Sequence, residues 1–454
     1  MIADLKPYSE YKESGLPWLG RVPGHWNIRR VKLLLREVDS RSTSGKEQLL
    51  RVSQYTGVTQ RKSADGSDEP DTRAASLIGY KRVCSNDLVI NIMLAWNGSM
   101  GVSRHEGIAS PAYCVYRFNK DALPWYYHEL LRLPVYKGRI KVASTGVVES
   151  RLRLYSNHFG CIEAILPPFD EQAAIVRFLD HATHRLDKAI RAKRKTIALL
   201  NEQKQAIIHR AVTRGLNHDA QLKDSGIPWL GQIPAHWKIC RVKDQFQCLN
   251  SRRIPLSSVE RGVMTSRQYD YYGASKVIDK VDDFLFDDEL LLIAEDGANL
   301  VLRNLPLAII ARGKFWVNNH AHILKPKGCN LEYMAGYLET LNYQPWITGA
   351  AQPKLTKDRL MSIAIAVAPV TEQLAIVQHY TEQAQPIIAT IKTTEREIDL
   401  LREYRTRLIT DVVTGKLDVR EAAARLPEVE RAPADEPEVA EMEETIDDLA
   451  GEVV

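Results

Sequence analysis

Two stretches of this chain are rich in side chains that bond to base edges and phosphates. The first offers Gln54, Tyr55, Gln60, Arg61, Lys62, Arg73, Trp96, Asn97, Ser99 and Arg104. The second offers Arg252, Arg253, Arg267, Gln268, Tyr271, Lys276, Arg303, Arg312, Lys314, Asn318, Asn319 and His320. Arginine and lysine can be bidentate to guanine in the major groove, and asparagine and glutamine to adenine. Half or more of such contacts go to phosphate and sugar, so a minority of the set is expected to read bases. Any one of them taken alone is more often a solvated surface group.

Catalytic patterns are missing from the same stretches. No P-loop GK[ST], G-x-G-x-x-G or G-x-S-x-G occurs, nor the N-P-P-[FY] or D-P-P-Y tetrapeptide of an adenine N6-methyltransferase. A P-D…[DE]-x-K nuclease pattern is absent too. His320 and His322 share a strand face, but no carboxylate or cysteine completes a metal set by spacing, so a packed or hydrogen-bonded role is expected. Recognition without reaction is the chemistry these residues suit.

Composition agrees with an anionic partner. The chain has 454 residues and a net charge of +4, yet residues 426–454 carry eleven acids and one base, leaving the rest at +14. That basic body suits nucleic acid. The acidic end, from 419, is expected to be disordered, either simply solvated or shielding a basic surface. Six scattered cysteines without C-x-x-C read as free thiols. No apolar run is long enough for a membrane span, and MIADLKPYSE lacks a signal-peptide core, so a cytoplasmic protein with no membrane partner is expected.

The elements that must position these groups are written twice. ESGLPWLGRVPGHWNIRRVK at 13–32 returns as DSGIPWLGQIPAHWKICRVK at 224–243, and DEQAAIV at 170–176 returns as TEQLAIV at 371–377. Each second block opens a long apolar seam with steps of three and four. The first seam is Val176, Leu179, Leu186, Ile190, Ile197, Leu200, Ile207 and Ala211. The second, offset by 201, is Val377, Tyr380, Ile387, Ile391, Ile398, Leu401, Leu408 and Val412. Even the interruptions recur, with Lys193 and Lys204 matching Thr394 and Arg405. A helix of about 42 residues would be roughly 60 Å long, and each needs a partner for its seam. The other copy is the obvious one, paired antiparallel, with the heads at opposite ends. Pro386 should bend or break the second helix. The run RAKRK at 191–195 is either a solvated helix face or a contact to DNA or to the acidic end.

The segments between the copies scarcely resemble each other. Both read as mixed α/β, with strands such as DLVINIM (87–93), AYCVYRF (112–118), ELLLIA (289–294) and HAHILK (320–325). Trp18, Trp26, Trp229 and Trp237 of the repeated block either anchor each head to a helix or form a docking surface. The expected fold is α/β (α+β): two globular heads joined by two long helices in an antiparallel coiled coil, an internal pseudo-twofold repeat. The expected divisions are 1–35, 36–165 (first head), 166–217 (first helix), 218–245, 246–365 (second head), 366–418 (second helix) and 419–454 (tail). Two dissimilar heads on two similar supports suit the reading of two different things at a fixed separation. A coiled-coil scaffold and a fused restriction–methylation enzyme are the alternatives.

Up to about residue 420 the chain resembles the specificity subunits of type I restriction–modification systems. The resemblance lies in the paired SG[LI]PWLG…P-x-HW openings and the helix starts with Glu171-Gln172 and Glu372-Gln373. The helix ends VTRGL (212–216) and VTGKL (413–417) add to it. Within the heads, WNGSMGVSRHEGIASPAY (96–113), YYGASKVID (271–279), IAEDGAN (293–299) and NNHAHIL (318–324) are similar to target-recognition domains of that family. The resemblance implies a non-catalytic subunit bound to double-stranded DNA at an asymmetric bipartite site. It also implies two methyltransferase subunits as partners, and through them restriction subunits. S-adenosylmethionine, ATP and Mg2+ would be held by those partners and no cofactor by this chain.

Overall fold

A computed structural model describes residues 5–61, 74, 76–147, 151–349 and 352–427. Lys62, Arg73 and the acidic end beyond 427 lie outside the described residues. The chain divides into two compact units, 1–193 with 397–454, and 194–396. Two long helices, Phe169–Arg214 and Val370–Val413, each contribute one half to either unit.

In the first unit, strand Asn27–Arg30 of the repeated block pairs antiparallel with Glu163–Leu166, just before the first long helix. Chain therefore enters and leaves the head side by side. The head's central sheet has four antiparallel strands in the order Leu35–Glu37, Tyr113–Phe118, Leu88–Asn91 and Met100–Val102. Alternation along Leu88–Asn91 sends Leu88 and Ile90 into the main core and Val89 into a smaller cluster on the other face. Both faces are covered, which is why the strand reads as an unbroken apolar run.

The second unit repeats the closing pair, with Lys238–Arg241 against Ala364–Val367. Its head is built differently. Six strands run Phe246–Cys248, Ala321–Pro326, Phe286–Ala294, Ala308–Val317, Tyr269–Tyr272, Val277–Val281, and only Tyr269–Tyr272 lies parallel to its neighbour Ala308–Val317. Leu291 and Ile293 feed one core while Leu290 and Leu292 feed another.

Within each unit the halves of the long helices run antiparallel. In the first, Lys193 bonds Glu397 at 2.6 Å and Asp187 meets Arg405 at 3.5 Å. Lys193 of the basic run thus answers a carboxylate on the second helix. In the second unit, Ile208 and Tyr380 flank Gly336, and Gly215 stands by Glu372. Every seam residue anticipated from the periodicity is buried or half-buried. Each helix stops at a glycine in the left-handed region, Gly215 at φ +72° and Gly415 at φ +77°. At Gly415 a Cβ would also stand 2.6 Å from Pro23 and 2.7 Å from Trp26.

Two expectations are corrected. Of the bend or break expected at Pro386, the break does not occur, since the second helix runs continuously through it. The carbonyl that this proline leaves unpaired belongs to Glu382, on an exposed turn where water can serve it. The disordered tail does not begin at 419: Val419, Ala423 and Leu426 are buried in the first unit's core, around a short helix Arg420–Ala424. Their spacing of four and three is a helical apolar stripe that the surrounding charge masks in a composition reading.

Candidate nucleic-acid interface

The repeated motifs meet as one contact set, found in both units. In the first, Glu171 in the opening turn of the long helix accepts from Trp26 Nε1 at 2.9 Å, His25 Nε2 at 2.6 Å and the Tyr8 hydroxyl at 3.1 Å. In the second, Glu372 accepts from Trp237 Nε1 at 3.1 Å and His236 Nε2 at 2.7 Å. A carboxylate in a first helical turn is also favoured by the helix dipole. The adjacent glutamines grip the heads. Gln172 Oε1 accepts the Leu123 amide at 2.8 Å, and Gln373 Oε1 accepts the Asn330 amide at 2.8 Å. Their Nε2 groups donate to Pro167 O and Ala368 O. Buried tyrosines then bond carbonyls near the helix ends, Tyr126 to Val413 O and Tyr333 to Val212 O. Trp26 and Trp237 are therefore anchors. The roles of Glu171 and Glu372 were missed from sequence. The available signal was that the P-x-HW and EQ blocks recur together, which pairs them as contact partners.

On the first head, sequence-distant candidates come together. Gln54 and Tyr55 form the tip of the hairpin Leu50–Ser53/Gly57–Gln60, with Gln60 and Arg61 at its other end. Trp96 and Asn97 lie in the turn Ala95–Asn97, and Asn97 Oδ1 accepts from the amide and hydroxyl of Ser99. The tip and the following strand Met100–Val102 abut, since a Cβ on Gly101 would stand 3.0 Å from Gly57 Cα. Helix Pro124–Arg132 lies behind both. From it Arg132 donates to Met100 O at 2.7 Å, Gln54 O at 3.1 Å and Tyr55 O at 2.6 Å, and His128 Nδ1 accepts the Val102 amide at 3.1 Å. Exposed Arg104 lies over the Trp125 ring at 4.4 Å, and Lys141 over Trp96 at 5.5 Å. Polar and aromatic groups of two loops thus share one surface with cations beside them.

On the second head the candidates separate into frame and surface. Arg253 donates to Glu295 Oε2 at 2.6 Å and to the carbonyls of Asn319 and Ala321. Tyr271, expected at the interface, is a core residue of strand Tyr269–Tyr272, 1% exposed, with its hydroxyl bonded to the Leu256 amide. Asn318 is buried and accepts the His320 amide. Arg312 pairs with Glu289 and Glu332. Burial explains the places of Arg253, Tyr271 and Asn318, since a polar group withdrawn from water must be matched, and these are, whereas the Arg312 side chain is half-exposed and pairs at the surface. Arg252, Arg267, Gln268, Lys276, Lys314 and Asn319 remain exposed. Arg267 takes a left-handed φ of +44°, held by its amide bond to Asp282 and by Asp279.

His320 and His322 go to different partners. His320 bonds Asp296 at 2.8 Å, while buried His322 bonds Leu355 O at 2.7 Å. Among the described residues no group of three or more His, Cys, Asp and Glu could hold a metal ion. Burial pushes the Glu295 carboxyl up, but the Arg253 hydrogen bond and the charges around it outweigh this and hold it below the usual range. A carboxyl held down in the fold stabilises while ionised, and that contribution fades as pH falls from about 4.5 through the depressed value. Glu295→Gln is therefore expected to lower the urea midpoint near pH 7 and to have a much smaller effect once the pH lies below the depressed value, where wild type is protonated too. Urea titrations at the two pH values check it.

Comparison with known proteins gives the geometry its relatives. Residues 234–400, which hold the second head, match the family model of the type I restriction modification DNA specificity domain. A putative type I restriction enzyme specificity subunit of Haemophilus influenzae is 36% identical over 132 residues, 29% of this chain. That match spans a third of the relative's length. A chain from a structure of type I R-M system assembly and conformational transition shares the fold, with a TM-score of 0.59 at 15% identity over 87% of this chain and 99% of that one. No described helix is long and apolar enough to cross a membrane. By this match, residues 234–400 carry a type I restriction modification DNA specificity domain.

Proposed function

We propose that this chain selects the DNA sequence for a type I restriction–modification complex. It binds an asymmetric bipartite site, one half through each head, and directs adenine N6-methylation and restriction by partner subunits. Two methyltransferase subunits bind it, and restriction subunits join through them. S-adenosylmethionine, ATP and Mg2+ belong to those partners; this chain supplies recognition only.

One observation carries the reading. A single support set, Glu–His–Trp with its neighbouring glutamine, occurs in both units, while the heads on it have four-stranded and six-stranded sheets. Like supports with unlike heads are what unlike half-sites require. The exposed cations supply phosphate contacts, which makes binding strongly salt-dependent, and the loop amides and aromatics supply discrimination.

The test is single-molecule sequencing of genomic DNA from cells with and without the gene, co-expressed with its methyltransferase partner. A gapped motif carrying N6-methyladenine that vanishes with the gene is the expected result. Unchanged methylation, with an active partner present, overturns the reading in favour of a scaffold.

A further inference from the structure

Arg132 has more to do than neutralise charge. It and His128 are four residues apart on the helix Pro124–Arg132, so both point the same way. There Arg132 bonds three carbonyls from two segments, Gln54 and Tyr55 at the hairpin tip and Met100 at the end of the WNGSM turn. A guanidinium is a rigid planar fork with five donors spread over three nitrogens, which lets it bond carbonyls of two separate segments in one fixed geometry. His128 continues the grip one step along, accepting the Val102 amide at Nδ1. That requires the neutral ring, which burial and the nearby cations Arg132 and Arg104 favour by holding its pKa well below the ordinary value.

The two segments abut at Gly57 and Gly101, where neither contributes a side chain to hold the pair in register. The bonds engage Gln54 and Tyr55 through their backbone carbonyls, so the tie itself uses neither side chain. Sequence readout tolerates displacement of only about half an ångström in the reading groups.

Resting on the reading that the first head binds one DNA half-site, we propose that Arg132 is a positioning residue for sequence discrimination. It touches no base, and by tying the carbonyls of Gln54, Tyr55 and Met100 it holds the hairpin tip and the Trp96–Arg104 segment as one reading surface. Its loss blurs one half-site and leaves phosphate-based affinity, the other half-site and the gap as they were.

The experiment uses the full chain, wild type and the variants Arg132→Ala and Arg132→Lys, with two readouts. The first is amide hydrogen exchange on the purified protein. Arg132→Ala is expected to raise exchange about tenfold at residues 54–58 and 97–102 and leave 286–294 unchanged, with Arg132→Lys intermediate. The second is methylation sequencing with the partner methyltransferase. Sites with one wrong base pair in one half, constant in identity, should rise about tenfold in Arg132→Ala, while the other half stays strict. Unchanged exchange overturns the tie. Raised exchange with both half-sites still strict overturns the link to discrimination. Loss of the thermal transition and of all methylation in both variants reduces Arg132 to a general folding role and also overturns it. If wild type yields no gapped motif while exchange rises in the variant, the DNA reading itself has failed and the tie is structural only.

Discussion

Glu171→Ala is expected to destabilise the first unit by about 3 kcal/mol, the largest stability effect of any single side chain in the support. Glu171 is 7% exposed, and its removal leaves the buried donors Trp26 Nε1 and Tyr8 hydroxyl without their acceptor. Each such orphan costs roughly 1–3 kcal/mol. His25 and Arg420, the remaining partners, are about half exposed and turn to water at little cost. Glu372→Ala should cost roughly half as much, because that side chain is more exposed and no buried tyrosine hydroxyl is shown bonding it. Calorimetry on both variants checks the order, with a shift of about 6–12 °C expected for Glu171→Ala. An equal or larger loss at Glu372 would mean that burial is not what sets the cost.

Exchanging residues 36–160 for another head of the family should replace one half of the recognised site and leave the other half and the gap unchanged. Chain enters and leaves this head through the adjacent strands Asn27–Arg30 and Glu163–Leu166, so the exchange keeps the point of attachment. Gln172 grips the head through a backbone amide, that of Leu123, a contact indifferent to the side chains imported. Each wrong base pair costs ~1–3 kcal/mol, so two or three altered pairs should weaken binding to the original site about thirtyfold or more. Methylation sequencing of the exchanged chain reads both halves at once. A change in the second half as well would end the idea that the heads read independently.

Much of the frame was legible because its code is local and periodic. The seam from Val176 to Ala211 and its copy from Val377 to Val412 announce themselves through steps of three and four, and those positions are buried or half-buried. The tail was misjudged at 419–427 because net charge says nothing about three apolar residues on one helical face. At Pro386 the helix persists because the carbonyl left unpaired, that of Glu382, lies on an exposed turn.

Sequence alone thus determined the duplicated plan and the long helices, since repetition and hydrophobic period are properties of neighbouring residues. Only the tertiary structure decided which polar groups face a ligand and which hold the protein together. Arg253 is spent on Glu295, 42 residues away, and Tyr271 on a core, though both read like their exposed neighbours. Arg132 was not among the candidates, because its partners are backbone carbonyls 32, 77 and 78 residues away. Every residue has a carbonyl, so a bond to one leaves no mark on the sequence; it exists only where the fold brings donor and acceptor together.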